Sequence, residues 1–491
     1  MNLAPLDLAI LLLYLAGVVV LGLWMGRGSR SVSDYVVGDR HQPWWLILGS
    51  IVATETSTVT FLSIPGFAYS RDLTWLQLPL GFLAGRFAVA WLLLPRYFQG
   101  SILTSYEVLR ERFGGATQRV ASALFLLTRS LADGLRLFLT AIVVEEMAGI
   151  PLAWAVVVTG LATLAYCYFG GMRAVLWTDF VQLAVYLGGA VIALQVLLAR
   201  LPGGWGQLVE MGGAAGKLKT FDLGWSLSEP HLLWAGLLGG AFLTLGSHGV
   251  DQLMVQRYLS AGSLPAARRA LTASGFVVLG QFALFLVLGV GLWCFYQLSP
   301  PAVPFDRPDR VFVRFILEEM PPGLVGVLIG AIFAAAMSTL SSSLNSCAAA
   351  AANDFFPPRA GAEGSPERRL RLAKGLTALF GLIQIGVGIA GQWLATSVVN
   401  AVLGIAAFTT GIVLGLFFLG ALSRRVGQRA ALVGLVLGLA GMTWVYFGTS
   451  LAWPWYALVG SLGTLVLGLG ASLVWPEEPP QLPAQGTGSA V

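Results

Sequence analysis

The stretch AIFAAAMSTLSSSLNSCAAAAAND (331–354) decides the fold. It lies inside an apolar segment, 322–354, long enough to cross a bilayer, yet one side of it is rich in hydroxyls. At about 100° per residue, Ala335, Ser338, Thr339, Ser341, Ser342, Asn345 and Ser346 share an arc of about 160°. Small side chains on that arc let another helix approach closely. Its hydroxyls either bond back to the carbonyl one turn earlier or offer oxygens to a small, hard cation. Periodicity leaves both readings open.

Composition sets the surroundings of that helix. The chain has 491 residues, 56% hydrophobic and 11% charged, whereas soluble domains carry roughly 25% charged residues. Such hydropathy over such a length implies an all-α polytopic membrane protein in a lipid bilayer, and excludes a soluble enzyme on an anchor. The net charge of +5 does not imply a nucleic-acid partner, because the basic residues fall in connections between spans. Cys167, Cys294 and Cys347 are far apart in apolar segments and read as small core residues, with no disulfide or metal spacing. No basic region or cleavage signal marks a signal peptide, so 6–26 is expected to be a retained helix. The sequence carries no signal for an oligomeric state.

Thirteen apolar spans can be counted: 6–26, 43–68, 74–98, 119–147, 151–170, 175–199, 231–256, 270–298, 322–354, 373–395, 398–421, 430–448 and 453–475. With the N-terminus outside and the C-terminus cytoplasmic, the inner connections carry 19 Lys and Arg and the outer ones 7. The positive-inside rule therefore favours that orientation in the cell (inner) membrane. No connection is long enough for a soluble domain, so 1–475 is expected to be one transmembrane unit. The Pro/Gly-rich tail, 476–491, is expected to be disordered.

Two spans look interrupted. In 43–68 the polar run ATETST (53–58) sits mid-membrane, and in 231–256 the run GSHG (246–249) does the same. Polar, unwound backbone is tolerable at that depth only where it lines a cavity. The interrupted spans are the second and the seventh. An interval of five reverses orientation, the pattern of two five-helix repeats of inverted topology, each opening on a broken helix. The expected repeats are 43–199 and 231–421, after a leading helix at 6–26 and before trailing helices at 430–475.

Several motifs carry a family resemblance. GGMRAVLWTDFVQ (170–182) and AAAMSTLSSSLNS (334–346) resemble two diagnostic segments of the sodium/solute symporter family. SVSDYVVGDR (31–40), TSYEVLRERFG (104–114) and DQLMVQRYL (251–259) resemble its cytoplasmic linkers. The matches run in order from about residue 7 to 420. The family includes proline, sugar, sialic acid, iodide and vitamin symporters. The resemblance implies the LeuT-type fold and sodium-coupled uptake of a small organic solute by alternating access, with Na⁺ as the coupling ion.

It also implies ion sites. The family's common sodium site maps to the carbonyls of Ala53, Thr56 and Ala335 and the hydroxyls of Ser338 and Thr339. The chemistry agrees, since an unwound helix frees carbonyls that no backbone N–H claims. A further sodium site found in some members maps to Asp179 with Ser338, Ser341 and Ser342. Asp179 also reads as an interfacial carboxylate capping a helix.

Substrate is expected at mid-membrane between the breaks, against Glu55, Ser57, Thr60, Thr244, Ser247 and His248, with Phe408 and Thr409 contributing. Glu55 is costly in a span, hence either functional or a partner for Arg86. Arg129, Asp133 and Arg136 stack on one helix face. Arg129 and Asp133 read as a pair, leaving Arg136 for a buried network or for a substrate carboxylate. Glu55 replaces the asparagine of the sugar-transporting members, which disfavours a sugar. Two other functions fit the pattern: a LeuT-fold carrier driven by protons at Glu55 or Asp133, and a solute-sensing membrane protein, disfavoured by the short tail. No nucleophile–base pairing supports an enzyme.

Overall fold

The computed structural model describes residues 4–26, 32–99, 102–301, 303–305, 307–357, 366–393 and 398–476. The expected disorder of the tail falls on 477–491, outside the described residues. Among those described no β-strand forms, and a lone bridge pairs Gln42 with Ala261.

The leading helix α1 (Pro5–Met25) starts on a proline, whose missing N–H costs nothing in a first turn. After the short α2 (Val32–Val37) comes the first broken span, α3 (Trp44–Glu55) and α4 (Thr58–Ser70). Next, α5 (Gln77–Ala88) and α6 (Leu94–Tyr97) join through a π-helical turn at Val89–Leu93. The connecting α7 (Glu107–Phe113) leads to the long α8 (Gly115–Ala148) and α9 (Leu152–Arg200). A loop helix, α10 (Gly204–Ala214), precedes the second broken span, α11 (Gly240–Gly249) and α12 (Gln252–Leu259). Then come α13 (Leu264–Leu298), the amphipathic loop helix α14 (Arg310–Glu319) and α15 (Leu324–Asp354), which contains the opening stretch. The chain ends with α16 (Pro366–Ala390), α17 (Val398–Leu422), α18 (Gln428–Gly448) and α19 (Tyr456–Val474).

By length and composition, nine helices among the described residues can cross a membrane, ten if α3 and α4 are one bent span. The expected count of thirteen is not reached by that measure, for physical reasons. At 1.5 Å per residue the 49 residues of α9 would run about 74 Å, more than twice a hydrocarbon core. Gly171 (φ 59°, ψ −161°) divides it into the two expected spans. Helix α8 carries charges along its middle, and α11 and α12 are each short.

The second break is displaced from its expected position. The run 246–249 stays helical, and the chain turns extended at Asp251, after Val250 (φ −134°, ψ −16°). Its glycines serve contact instead: a Cβ on Gly246 would lie 2.1 Å from Thr410 Cγ2. Asp251 begins the second half by capping it, accepting a 2.8 Å bond from the Leu253 amide.

Helix α15 is the axis of the molecule. From Leu328 to Asp354 every residue but Ala336 is buried, with α9, α8, α16, α1 and α3 packed around it. Its apolar residues alone would allow this in lipid, but the hydroxyl arc needs protein partners. Its N-terminus is closed by buried Asp7 of α1, whose Oδ1 accepts 2.7 Å bonds from the amides of Gly323 and Gly326. A carboxylate there also complements the positive end of the helix.

Candidate functional site

Helix α3 ends at Glu55, and Thr56 (ψ 111°) and Ser57 (ψ 172°) are extended before α4 begins. The last carbonyls of α3 are thus left without intrahelical partners. Helix α15 brings hydroxyls to them. Ser338 Oγ donates to Ala53 O at 2.9 Å and to Ala335 O at 3.2 Å. Thr339 Oγ1 lies 3.5 Å from Thr56 O, 3.2 Å from Thr54 O and 3.3 Å from Ala335 O. All five expected sodium-site oxygens therefore converge. Hard cations of this size hold oxygens at about 2.3–2.6 Å, which puts neighbouring ligands about 3–3.7 Å apart. The spacing here fits, once each hydroxyl turns its hydrogen away. Behind the cage, Thr56 Oγ1 is held by Tyr186 (3.0 Å) and Gln281 (2.7 Å), fixing the unwound backbone.

The second cluster is built differently from the expectation. Asp179 and Ser342 do meet, at 3.4 Å, joined by Ser50 (2.5 Å) and Thr54 (3.3 Å), all on Asp179 Oδ2. A fully buried guanidinium, Arg257 of α12, shares that oxygen at 3.2 Å and also donates to Ser50, Thr54 and Ser342. Ser341 donates instead to Ser338 O at 3.1 Å. Asp179 Oδ1 has no partner, nor has either amide atom of nearby Gln182. Arg257 lies one residue beyond the apolar span 231–256, which by sequence places it with the cytoplasmic connections. The signal that could have found it is electrostatic: a mid-bundle aspartate requires a cation.

A cavity of about 550 Å³ lies between the two breaks. Glu55, Ser57, Thr60, Arg136, Thr244, Ser247 and His248 all line it, seven of the nine residues expected on substrate. Phe408 and Thr409 do not. Helix α17 turns Ala406 and Thr410 to the cavity, Thr409 faces a separate small pocket, and Phe408 packs on Tyr446. One residue of register is about 100° of rotation, enough to miss.

The charges at the centre of the cavity are paired. Arg86, fully buried, bonds Glu55, donates to Ser274 Oγ at 3.2 Å and lies 3.3 Å from His248 Nε2. Arg129 departs from the expected pairing, holding Asp251 at 2.6 Å and Asp133 only at 3.5 Å. Asp133 is bonded more closely by Arg136, at 2.5 Å. Arg136 Nε remains buried without a partner. A space of about 10 Å³, near the size of one water, is lined by both Arg136 and Thr339 and so joins the two sites.

The profile of the sodium:solute symporter family matches residues 35–438. The chain belongs to the sodium:solute symporter family. It is 28% identical over 479 residues to a sodium/sialic acid symporter of Proteus mirabilis (strain HI4320), covering 94% of each chain. It is 27% identical to the human sodium-coupled monocarboxylate transporter 1, covering 87% of this chain and 70% of that one. Among solved structures, a substrate-bound, outward-open sodium-coupled sialic acid symporter superposes with a TM-score of 0.90 at 27% identity. That match covers 98% of this chain and 100% of the other. A nucleobase-cation-symport-1 family transporter in a closed conformation shares the fold, with a TM-score of 0.57 at 15% identity over 91% and 95% of the two chains. This symporter therefore has the LeuT-type fold. It is a multi-pass sodium-coupled carrier of small organic solutes, not an enzyme.

Proposed function

We propose that this symporter takes up a small carboxylate with Na⁺ from the outer side of the cell membrane. The observation that carries the substrate class is Arg136, a half-buried guanidinium that lines the cavity with Ser57 and Thr60 and whose Nε has no hydrogen-bond partner. Charge bookkeeping supports it. Glu55 balances Arg86, and Asp133 with Asp251 balance Arg129 and Arg136. With His248 neutral, these groups sum to zero before loading, Asp309 at the cavity mouth apart, and one Na⁺ with one monoanion keeps that balance. Relatives that carry sialic acid and monocarboxylates, both carboxylates, point the same way.

Na⁺ is assigned to Ala53, Thr56, Ala335, Ser338 and Thr339, and substrate to Glu55, Ser57, Thr60, Arg136, Thr244, Ser247 and His248. Coupling follows from position. The ion ties α15 to the unwound backbone of the first broken span, which fixes Ser57 on the substrate side. Its charge also attracts an anion at Arg136. Each ligand therefore strengthens the other's binding by the same factor. A proton-driven cycle at Glu55 is disfavoured, because the Arg86 pair already satisfies the ionised carboxylate. The Asp179 cluster is assigned a second ion only in a state from which Arg257 has withdrawn.

Orientation is part of this reading. The cavity reaches exposed Pro308 and the ends of the connections around Ser70, His231 and Asp309, those poorest in basic residues. The opposite end is plugged, with Gln256 bonded to Val36 O and Asn345 and the Ser105 amide bonded to Gln252. An outward-facing state with both the connections at 27–42 and 96–119 inside follows.

The test is uptake into proteoliposomes under an inward Na⁺ gradient, with choline as control, across short-chain monocarboxylates, sialic acid and neutral sugars. Sodium-dependent accumulation of a carboxylate supports the assignment. Accumulation of sugars alone, or uptake indifferent to Na⁺, would sink it.

A further inference from the structure

Far from the assigned ion sites, α15 ends in a carboxylate that lacks a counter-charge. Asp354 is 3% exposed. Its Oδ1 accepts Thr104 Oγ1 at 2.7 Å and Gln118 Nε2 at 2.8 Å. Its Oδ2 is buried without any hydrogen-bond partner. Ser122, one turn beyond Gln118 on α8, lies beside the same carboxyl, and its own Oγ is buried and equally unpartnered. The hydroxyl of Ser122 acts on the Asp354 carboxyl, so the two buried oxygens share one site.

Electrostatics make that arrangement expensive. A buried carboxylate costs several kcal/mol unless paired. Asp354 has no salt bridge to any described residue, and Glu107, another acid, acts on it unfavourably. The C-terminal end of α15 adds partial negative charge from carbonyls that end the helix. Everything around Asp354 Oδ2 favours a positive ion.

We infer that Asp354, with Ser122, Thr104 and Gln118, forms an additional monovalent cation site at the closed end of the bundle. The donor set selects the ion. One carboxylate with neutral oxygens shares the hardness of the uncharged Ser338–Thr339 cage, balances a single positive charge, and falls short of the several carboxylates that Ca²⁺ sites use. Gln118 can present Oε1 after rotation of its amide, and hydroxyls accept as readily as they donate. The ion acts on the turn 102–107. That turn is fastened to α12, the lower half of the second broken span, by Gln252, which accepts from the Ser105 amide and donates to Leu103 O. A cation on Asp354 therefore strengthens closure of this end.

Equilibrium binding of ²²Na⁺ to the full-length protein in detergent tests the site. Wild type is compared with Asp354→Asn, Ser122→Ala and Ser338→Ala/Thr339→Ala. The expected result is that Asp354→Asn binds one ion fewer than wild type while keeping the site that the double variant loses. Ser122→Ala weakens one class of site by about tenfold or more. An Asp354→Asn protein that unfolds is replaced by crystals of wild type soaked in thallium(I), where an anomalous peak beside Asp354 Oδ2 is expected. Unchanged stoichiometry in Asp354→Asn, or crystals with a peak at Ser338 and none at Asp354, overturns the inference and leaves the carboxyl protonated. Failure of the Ser338–Thr339 assignment reads out separately, as an ion retained by the double variant.

Discussion

The hydroxyl of Ser338 donates to the carbonyl oxygen of Ala53 across 2.9 Å, joining positions 285 residues apart. Without an ion, that hydrogen bond closes the cage between α15 and the first break. In the proposed sodium-bound state, both oxygens turn to the metal. The helix and the break are thus held together either way, and Na⁺ adds to a contact that already exists.

Removing the hydroxyl should therefore cost ion affinity more than folding. Ser338→Ala is expected to raise the Na⁺ concentration for half-maximal stabilisation about tenfold or more, since a bond to a charged group contributes about 1.5–3 kcal/mol. Thermal unfolding in detergent, with NaCl exchanged for choline chloride at fixed ionic strength, measures it. A wild-type-like sodium titration in the variant would remove Ser338 from the site.

Arg136→Gln keeps a donor but removes the charge and the forked geometry. Asp133 retains Arg129 at 3.5 Å, so the fold should survive. The expected outcome is a substrate KM raised about 10- to 150-fold, from the loss of a charge-assisted bond, with substrate-free sodium stabilisation retained. Arg136→Lys should recover little, because a point charge does not reproduce a planar fork. Equal loss of sodium response would mark Arg136 as a structural residue.

Gly171 makes a prediction about the hinge of α9. Its φ of 59° with ψ of −161° is a region that side chains avoid, and a Cβ would lie 2.8 Å from both Tyr35 Cδ2 and Tyr35 O. Tyr35 is itself fully buried and bonded to Cys167 O and Thr377, so it has nowhere to move. Gly171→Ala should destabilise by about 2–4 kcal/mol, combining backbone strain with overpacking. A melting temperature within a degree of wild type would contradict the tight fit.

What the sequence made legible has a physical pattern. Segment positions, the first break and the hydroxyl arc were readable because each is local: hydropathy, polar residues inside an apolar run, and helical periodicity. The convergence of the Ala53, Thr56, Ala335, Ser338 and Thr339 oxygens was readable because its two halves sit in one motif each. The second break was misplaced because glycines 246 and 249 mark close packing as readily as unwinding, and only their neighbours Thr410 and Leu93 tell which. The ion pairs were hardest. Glu55 with Arg86 was the one pair the cost of a lone acid in a span suggested, whereas Arg129 bonds Asp251 and Arg257 bonds Asp179 across long separations in sequence that no spacing rule reports. Only the requirement that buried charge be paired announces that such partners exist.

That requirement gives the sharpest test at Asp179 and Arg257, both fully buried. Asp179→Asn leaves a buried guanidinium without a counter-charge and should cost about 3–5 kcal/mol. Asp179→Leu combined with Arg257→Met replaces the pair by apolar groups, and should recover most of that loss, since such exchanges are often neutral. Arg257→Gln separates stability from ion binding. It removes the built-in cation while keeping polar contacts to Ser50 and Thr54, and it frees Asp179 Oδ2 for Na⁺. If Arg257 competes with a second ion, the variant should bind sodium at this cluster at lower concentration than wild type, and the sodium titration should steepen. Adding Asp179→Asn to Arg257→Gln should abolish the steepening. A titration that stays unchanged in Arg257→Gln would mean that Asp179 serves only to anchor Arg257, and that no second ion binds there.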